Sequence, residues 1–171
     1  GYGLGSRLEI IITPLVFGIG SVLTASVGIN VGAQQINRAK MIAWTGAFIS
    51  FCVVGLLGAT VTIFPDIWLN NFESSSLIRD YATSYLIIVA PFYCFFAAGQ
   101  TLYFASQGLG KIFYPVIVGI IRLLSVSIIC YYVTIYDLSL NFVFYGVSFG
   151  LLATGLGLWM CMLGPDWKKQ I

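Results

Sequence analysis

The chain has 171 residues, of which 59% are hydrophobic and only 8% carry a charge, and its formal net charge is +2. Soluble domains are about a quarter charged, and so few charged side chains could not cover a soluble globule of this size. The composition therefore excludes a soluble enzyme, a nucleic-acid module and a disordered linker, and it leaves an integral membrane protein.

Long segments between the charged positions predict five membrane-spanning helices. About 20 apolar residues cross a bilayer as a helix, and longer segments can tilt. The predicted helices cover residues 8–33, 41–65, 82–108, 112–136 and 140–163. Segments such as IIITPLVFGIGSVLTASVG lack the strict alternation of barrel strands. The predicted fold class is therefore all-α, a polytopic membrane helix bundle.

The basic residues of the loops predict the orientation of the chain. Because the sequence does not begin with Met, we expect a fragment or processed chain that starts in a loop. One side of the membrane collects most of the basic residues: Arg38, Lys40, Lys111, Lys168 and Lys169. Such an excess marks the cytoplasmic side. The first residue is therefore expected outside and the C-terminus inside.

Small residues recur on one face of the first predicted helix at spacings of three and four. They are Gly18, Ser21, Ala25, Gly28 and Gly32. Close backbone approach helps helices to associate in lipid, so this face is predicted to pack tightly. Pro14 interrupts the same helix and Pro91 the third one. Each proline removes a backbone donor and predicts either a hinge for transport or a packing bend.

Two ionisable residues lie within the predicted spans. Glu9 is either a solvated interfacial charge beside Arg7 or a cation or proton site that faces a cavity. Arg122 lies 11 residues beyond Lys111, which is about 16 Å along a helix and too far for its side chain to reach the interface easily. It should therefore face the bundle interior or water. There it is either a buried organiser or a contact for an anionic substrate group or a coupling network.

The third predicted helix carries the most polar face. Tyr93, Gln100 and Gln107 share it with Ala97 and Phe104. An aromatic and amide surface suits the wall of a cavity for amphipathic organic cations, because cation–π contacts and hydrogen bonds can act together there. The alternative interpretation is an interhelical hydrogen bond from Gln100.

Catalytic and metal-binding patterns are missing from the sequence. It has no His, and its four cysteines fall inside predicted spans without metal-ligand spacing. We therefore expect neither a metal site nor a disulfide. Without a nucleophile–base pair or a phosphate loop, an enzyme is not expected, and neither is an organic cofactor.

Four short motifs follow one another in residues 1–40. They are GxxSRLE at 3–9, Pro14 with Gly18 and Gly20, VGxNxGA at 27–33 and RAK at 38–40. Together they resemble the start of the second half of a multidrug and toxic compound extrusion (MATE) transporter. One position departs from the pattern, because the family often has glycine after Ala33 and this chain has Gln34.

The resemblance implies a fold of twelve helices in two six-helix lobes around a central cavity. Residues 1–171 would then be one partial domain, helices eight to twelve of the C-terminal lobe. The motif residues Gly28, Asn30 and Gly32 would serve packing or hinge motion. The missing N-terminal lobe and the lipid bilayer would be partners, and nucleic acid would not. The expected location is a bacterial inner (plasma) membrane.

The same resemblance implies the activity. The family exports organic cations and drugs in exchange for Na⁺ or H⁺ by alternating access, and the fragment alone is not expected to transport. Glu9 matches the chemistry of the ion-linked carboxylate. One rival is a lipid-linked oligosaccharide flippase, which would need more deep basic residues than Arg122 to hold pyrophosphate. Another is a membrane subunit or receptor without transport, which would show no ion dependence.

Overall fold

The computed structural model describes residues 2–72, 75–136 and 139–164. Its elements in chain order are α1 (Tyr2–Gly32), α2 (Ile36–Ile63), α3 (Pro65–Leu69), α4 (Ser76–Val89), a 3₁₀ turn (Ala90–Phe92), α5 (Tyr93–Gly108), α6 (Phe113–Ile135) and α7 (Leu140–Leu163). No strand occurs within these ranges. Asp137, Lys168 and Lys169, which contributed to the predicted orientation, lie outside the described residues.

Five helical segments are long and apolar enough to cross a membrane. They are Gly5–Gly32, Ile36–Ile63, Ser76–Gly108, Phe113–Ile135 and Asn141–Leu163. The prediction of an all-α polytopic membrane helix bundle is confirmed. Several helices begin earlier than the charge pattern predicted. Arg38 and Lys40, for example, lie in the first turns of α2 and not in a loop.

The turn between α1 and α2 is built around Gln34. Its φ is 60°, which lies in the left-handed region that glycine adopts most easily. The backbone N–H of Gln35 donates to the carbonyl of Asn30 at 2.8 Å and closes the end of α1. Gln34, the position that departs from the family motif, is therefore one where glycine would relieve backbone strain. The departure affects the turn between α1 and α2.

α5 is the central helix of the bundle and packs against α1, α2 and α7. Two pairs of glycines allow its backbone to approach its neighbours closely: Gly108 lies against Gly28 of α1, and Gly99 against Gly155 of α7. The Thr24 hydroxyl of α1 lies 2.9 Å from the carbonyl of Phe104, to which it can donate. Small residues and hydroxyl groups thus hold this helix in place, as is usual for helix packing in lipid.

The packing face of α1 differs from the predicted one. Gly28 has the close neighbour just mentioned, but none of the described atoms lies within 4 Å of where a Cβ would stand on Gly18 or Gly32. α1 packs instead through a face that includes Ile12, Val16 and Leu23. The packing role predicted for Gly18 and Gly32 is therefore not met within the described part of the chain: both are exposed, and Gly18 borders an open groove between α1 and α2.

The two prolines differ in their effect on the helices. α1 continues through Pro14, which is exposed. At Pro91 the third span is interrupted, since α4 ends at Val89 and the chain makes the 3₁₀ turn before α5. The carbonyl of Ala90 points at α2, where a Cβ on Gly58 would lie only 2.5 Å from its oxygen.

The interruption is also held from α7. The Ser148 hydroxyl lies 3.0 Å from the carbonyl oxygen of Ile88, just before the 3₁₀ turn, and the same distance from Phe144 O in its own helix. Proline leaves carbonyl groups upstream of it without their helical donor, and neighbouring hydroxyls can replace that donor. Ser148 therefore binds a backbone group three residues before Pro91, next to the interruption.

We expect Ser148→Ala to lower the free energy of unfolding by about 1 kcal/mol, the size of a hydrogen bond between membrane helices. The measurement is unfolding of the full-length protein in detergent micelles. Thr134→Val is the matched control, because the Thr134 hydroxyl binds the carbonyl of Cys130 in its own helix. Equal effects of the two substitutions would contradict a stabilising role for the contact with Ile88.

Candidate ion site between the first and third spans

The carboxylate of Glu9 is bound by a tyrosine of the third span. Glu9 is half-buried on α1, and the fully buried Tyr85 of α4 donates its hydroxyl hydrogen to Glu9 Oε1. Gly5, one turn before Glu9, provides the space, because a Cβ there would overlap the ring of Tyr85. The contact joins residues that are 76 positions apart in the chain.

A second tyrosine extends this contact into the core. Tyr93 is fully buried and interacts with Tyr85. On its other side the Tyr85 ring meets Phe144 of α7 edge-on, with centroids 5.3 Å apart. Glu9, Tyr85 and Tyr93 form what we call the glutamate–tyrosine site, and its position connects α1, α4 and the start of α5.

The charged groups near this end of the bundle have contacts of their own. The guanidinium of Arg7 lies 5.5 Å from the centroid of the Phe72 ring. Arg79 pairs with Asp66 at 2.6 Å. For Glu9 the structure thus provides a phenol hydroxyl as its partner in the core. A carboxylate at membrane depth is costly unless it is paired, and such residues commonly mark ion or proton pathways.

The three residues predicted to form one cavity wall do not share one environment. Tyr93 belongs to the buried glutamate–tyrosine site and lines no open cavity in the described structure. Gln100 lies about 10 Å further along the helix axis and borders a separate cavity of about 480 Å³. Gln107 is half-buried two turns beyond Gln100. The division follows from position along α5: Tyr93, at its start, packs into the core around Tyr85, whereas Gln100, two turns later, faces residues of α6 and α7.

The cavity beside Gln100 combines amide, hydroxyl and aromatic groups. Tyr103 of α5 and Thr154 of α7 line it with Pro115 and Gly119 of α6. The Thr154 hydroxyl donates to Gly150 O of its own helix at 2.7 Å. An open, mainly apolar cavity with a few polar groups is the usual form of a site for small organic molecules.

Arg122 lies against residues of two neighbouring helices. It is half-buried on α6, and its guanidinium carbon lies 4.9 Å from the centroid of the Phe96 ring on α5. It also borders a small cavity of about 160 Å³ with Gly150 and Thr154 of α7. The attraction between a cation and an aromatic face is stronger where water is excluded, so the Phe96 ring partly offsets the cost of burying the Arg122 guanidinium.

The remaining candidates have local roles in the structure. The side-chain amide of Asn30 donates to the carbonyl of Ser26 at 2.8 Å, within α1. Among the described residues, no group of three His, Cys, Asp or Glu could hold a metal ion. The residue that the sequence did not single out is Tyr85. The sequence feature that could have pointed to Tyr85 is its position on the same predicted span as Tyr93.

Comparison with known proteins identifies the family. A family model described as MatE matches residues 1–133, which is well over half of the chain. No curated protein matches the chain. The match agrees with the five membrane-spanning helices, and members of this family are transporters of the efflux and flippase superfamily and not enzymes. The chain belongs to the MatE family of membrane transporters.

Proposed function

We propose that the protein is a secondary-active antiporter that exports organic cations in exchange for Na⁺ or H⁺, and that Glu9 is its ion-binding carboxylate. The observation that supports this most is the hydrogen bond from Tyr85 to the half-buried Glu9. When a carboxylate that joins two spans takes up a proton or a cation, its attraction for the tyrosine falls, so ion uptake changes the contact between those spans. Ion binding and helix position are thereby linked.

The link works through the strength of one hydrogen bond. A bond to an ionised carboxylate is roughly twice as strong as one between neutral groups. When Glu9 takes up a proton, or shares its charge with a metal cation, its contact with Tyr85 weakens. α4 continues through the 3₁₀ turn into α5, so a change at Tyr85 acts on the helix that borders the Gln100 cavity.

The proposed substrate site is the Gln100 cavity. Tyr103 offers an aromatic face, and Gln100 and Thr154 offer polar atoms around an apolar lining. Such a surface suits an amphipathic organic cation. Gln107 lies two turns beyond Gln100 toward the end of α5 and would extend the wall, while Arg122 organises α5, α6 and α7 beside it.

Alternating access needs a second body for this bundle to move against. In the proposal that body is the N-terminal lobe, and the described helices are most of the C-terminal lobe. Pro91, with its interrupted helix, is the better candidate hinge, and Pro14 lies in a continuous one. The start of the chain would face outside and the C-terminus the cytoplasm, in a bacterial inner membrane.

The proposal is tested by competition between ion and substrate on the purified full-length protein. Tetraphenylphosphonium serves as the probe cation, and its binding is measured at several Na⁺ concentrations and pH values. We expect saturating amounts of the coupling ion to weaken probe binding by about ten-fold, a usual coupling between two sites. A probe affinity that does not change with either Na⁺ concentration or pH would refute antiport and favour a receptor or a non-transporting subunit. Tight binding of a pyrophosphate-linked lipid in place of the probe would favour the flippase.

A further inference from the structure

A groove on another face of the bundle has a lining unlike that of the Gln100 cavity. α2, α5 and α7 form it, and its volume is about 360 Å³. Two aromatic pairs mark its length: Trp44 meets Trp159 with ring centroids 5.9 Å apart, and Phe51 meets Phe95 at 5.5 Å. We call it the aromatic groove.

The aromatic groove is open to the outside of the bundle. Its lining includes the small residues Ala47, Ala98 and Gly155 between the aromatic rings. Trp159 retains 48% of its surface exposed, so the groove is not closed by the described helices. Trp44 and Phe51 are seven residues apart, which places the two aromatic pairs about 10 Å apart along the helix. An extended hydrocarbon chain matches this shape and this apolar lining.

One end of the groove lies near the end of the bundle where basic residues collect. Lys40 precedes Trp44 by four residues on α2, and residues at this spacing share a helical face. Tryptophan is typical of the membrane interface, and a lysine at that depth extends its ammonium group to the headgroups. The described acidic residues Glu9, Asp66 and Asp80 lie at the opposite end of the bundle.

We propose that the aromatic groove binds one anionic phospholipid, with an acyl chain between the tryptophan and phenylalanine pairs and its phosphate at Lys40. Van der Waals packing against the aromatic rings holds the acyl chain, since lipid tails and the groove are equally apolar, and the single charge at the mouth selects the headgroup. The site is separate from the glutamate–tyrosine site and does not depend on the transported substrate.

The test counts lipids bound to the purified, delipidated full-length protein by native mass spectrometry. Phosphatidylglycerol and phosphatidylcholine with identical acyl chains are the two probes. We expect phosphatidylglycerol to bind about five-fold more tightly, the effect of one lysine near an anionic headgroup. Lys40→Gln removes this preference. Lys111→Gln, at the same end of the bundle but beside α6, retains it.

A second variant tests the hydrocarbon part of the site. Ala98→Phe fills the aromatic groove, and we expect it to remove one bound lipid of either headgroup while Lys40→Gln removes only the preference. Equal binding of both lipids to the wild type would overturn the proposal, as would equal effects of Lys40→Gln and Lys111→Gln. An unchanged lipid count in Ala98→Phe, or a change in its oligomeric state, would assign the groove to something other than a lipid.

Discussion

Gly155→Ala is expected to lower the free energy of unfolding by about 2 kcal/mol, although alanine is the better helix former. Gly155 lies where α7 meets α5, and a Cβ there would stand 2.5 Å from the carbonyl oxygen of Phe95. That atom belongs to the backbone of the central helix, so it cannot move aside as a flexible side chain would. The measurement is the unfolding free energy of the full-length protein in detergent.

Gly18→Ala is the matched control because it makes the same chemical change on an exposed helix face. No described atom lies within 4 Å of a Cβ at Gly18, so alanine should leave the protein unchanged or stabilise it by up to about 1 kcal/mol through helix propensity. The structure thus predicts opposite signs for one substitution at two glycines. Destabilisation by Gly18→Ala with no effect of Gly155→Ala would refute the packing face described for α1 and the α5–α7 contact.

Glu9→Gln is expected to reduce ion-driven transport of an organic cation by about 100-fold, near the upper range of coupling between two sites. Glutamine keeps the size of the side chain and an oxygen that can accept the Tyr85 hydrogen bond. The fold should therefore persist while the charge that binds the coupling ion is lost. The measurement is uptake into proteoliposomes that contain the full-length protein and an imposed ion gradient.

Two controls distinguish coupling from general damage. Asp66→Asn removes a carboxylate at the same end of the bundle, one that pairs with Arg79, and it should leave transport within about two-fold, since exposed ion pairs contribute little. Tyr85→Phe keeps the Glu9 charge but removes its donor. It should shift the ion concentration for half-maximal transport by about ten-fold, the size of a hydrogen bond to a charged group. Wild-type behaviour of Tyr85→Phe would refute the role of that bond.

The membrane spans were predictable because their cause is local. Each one needs a continuous apolar segment, and the sequence shows this directly. The ends were less predictable, since Arg38 and Lys40 are tolerated in the first turns of α2. The packing face of α1 could not be predicted from small-residue spacing alone. In lipid the outside of a helix is as apolar as the inside, so Gly18 and Gly28 look alike in the sequence.

The candidate site shows the same division between local and distant causes. Glu9 and Arg122 stood out because an ionisable residue within an apolar segment is unusual and costly. Tyr85 did not stand out, because its importance comes from its contact with Glu9, which lies 76 positions away in the chain. The sequence of one helix does not reveal which residues of another helix lie opposite it. Tyr93 and Gln100 share a face of α5, and the neighbouring helices decide that the first lies in the core and the second at a cavity.

The most direct measurement of ion-coupled export is transport by the full-length protein when the ion gradient alone is reversed. Proteoliposomes receive tetraphenylphosphonium on both sides and then an H⁺ or Na⁺ gradient of either sign. For one of the two ions, the proposal predicts net movement of the organic cation in the direction opposite to the flow of that ion. This movement should reverse when the ion gradient is reversed, and it should be absent in Glu9→Gln. Movement that ignores the sign of both gradients, or that persists unchanged in Glu9→Gln, would contradict it.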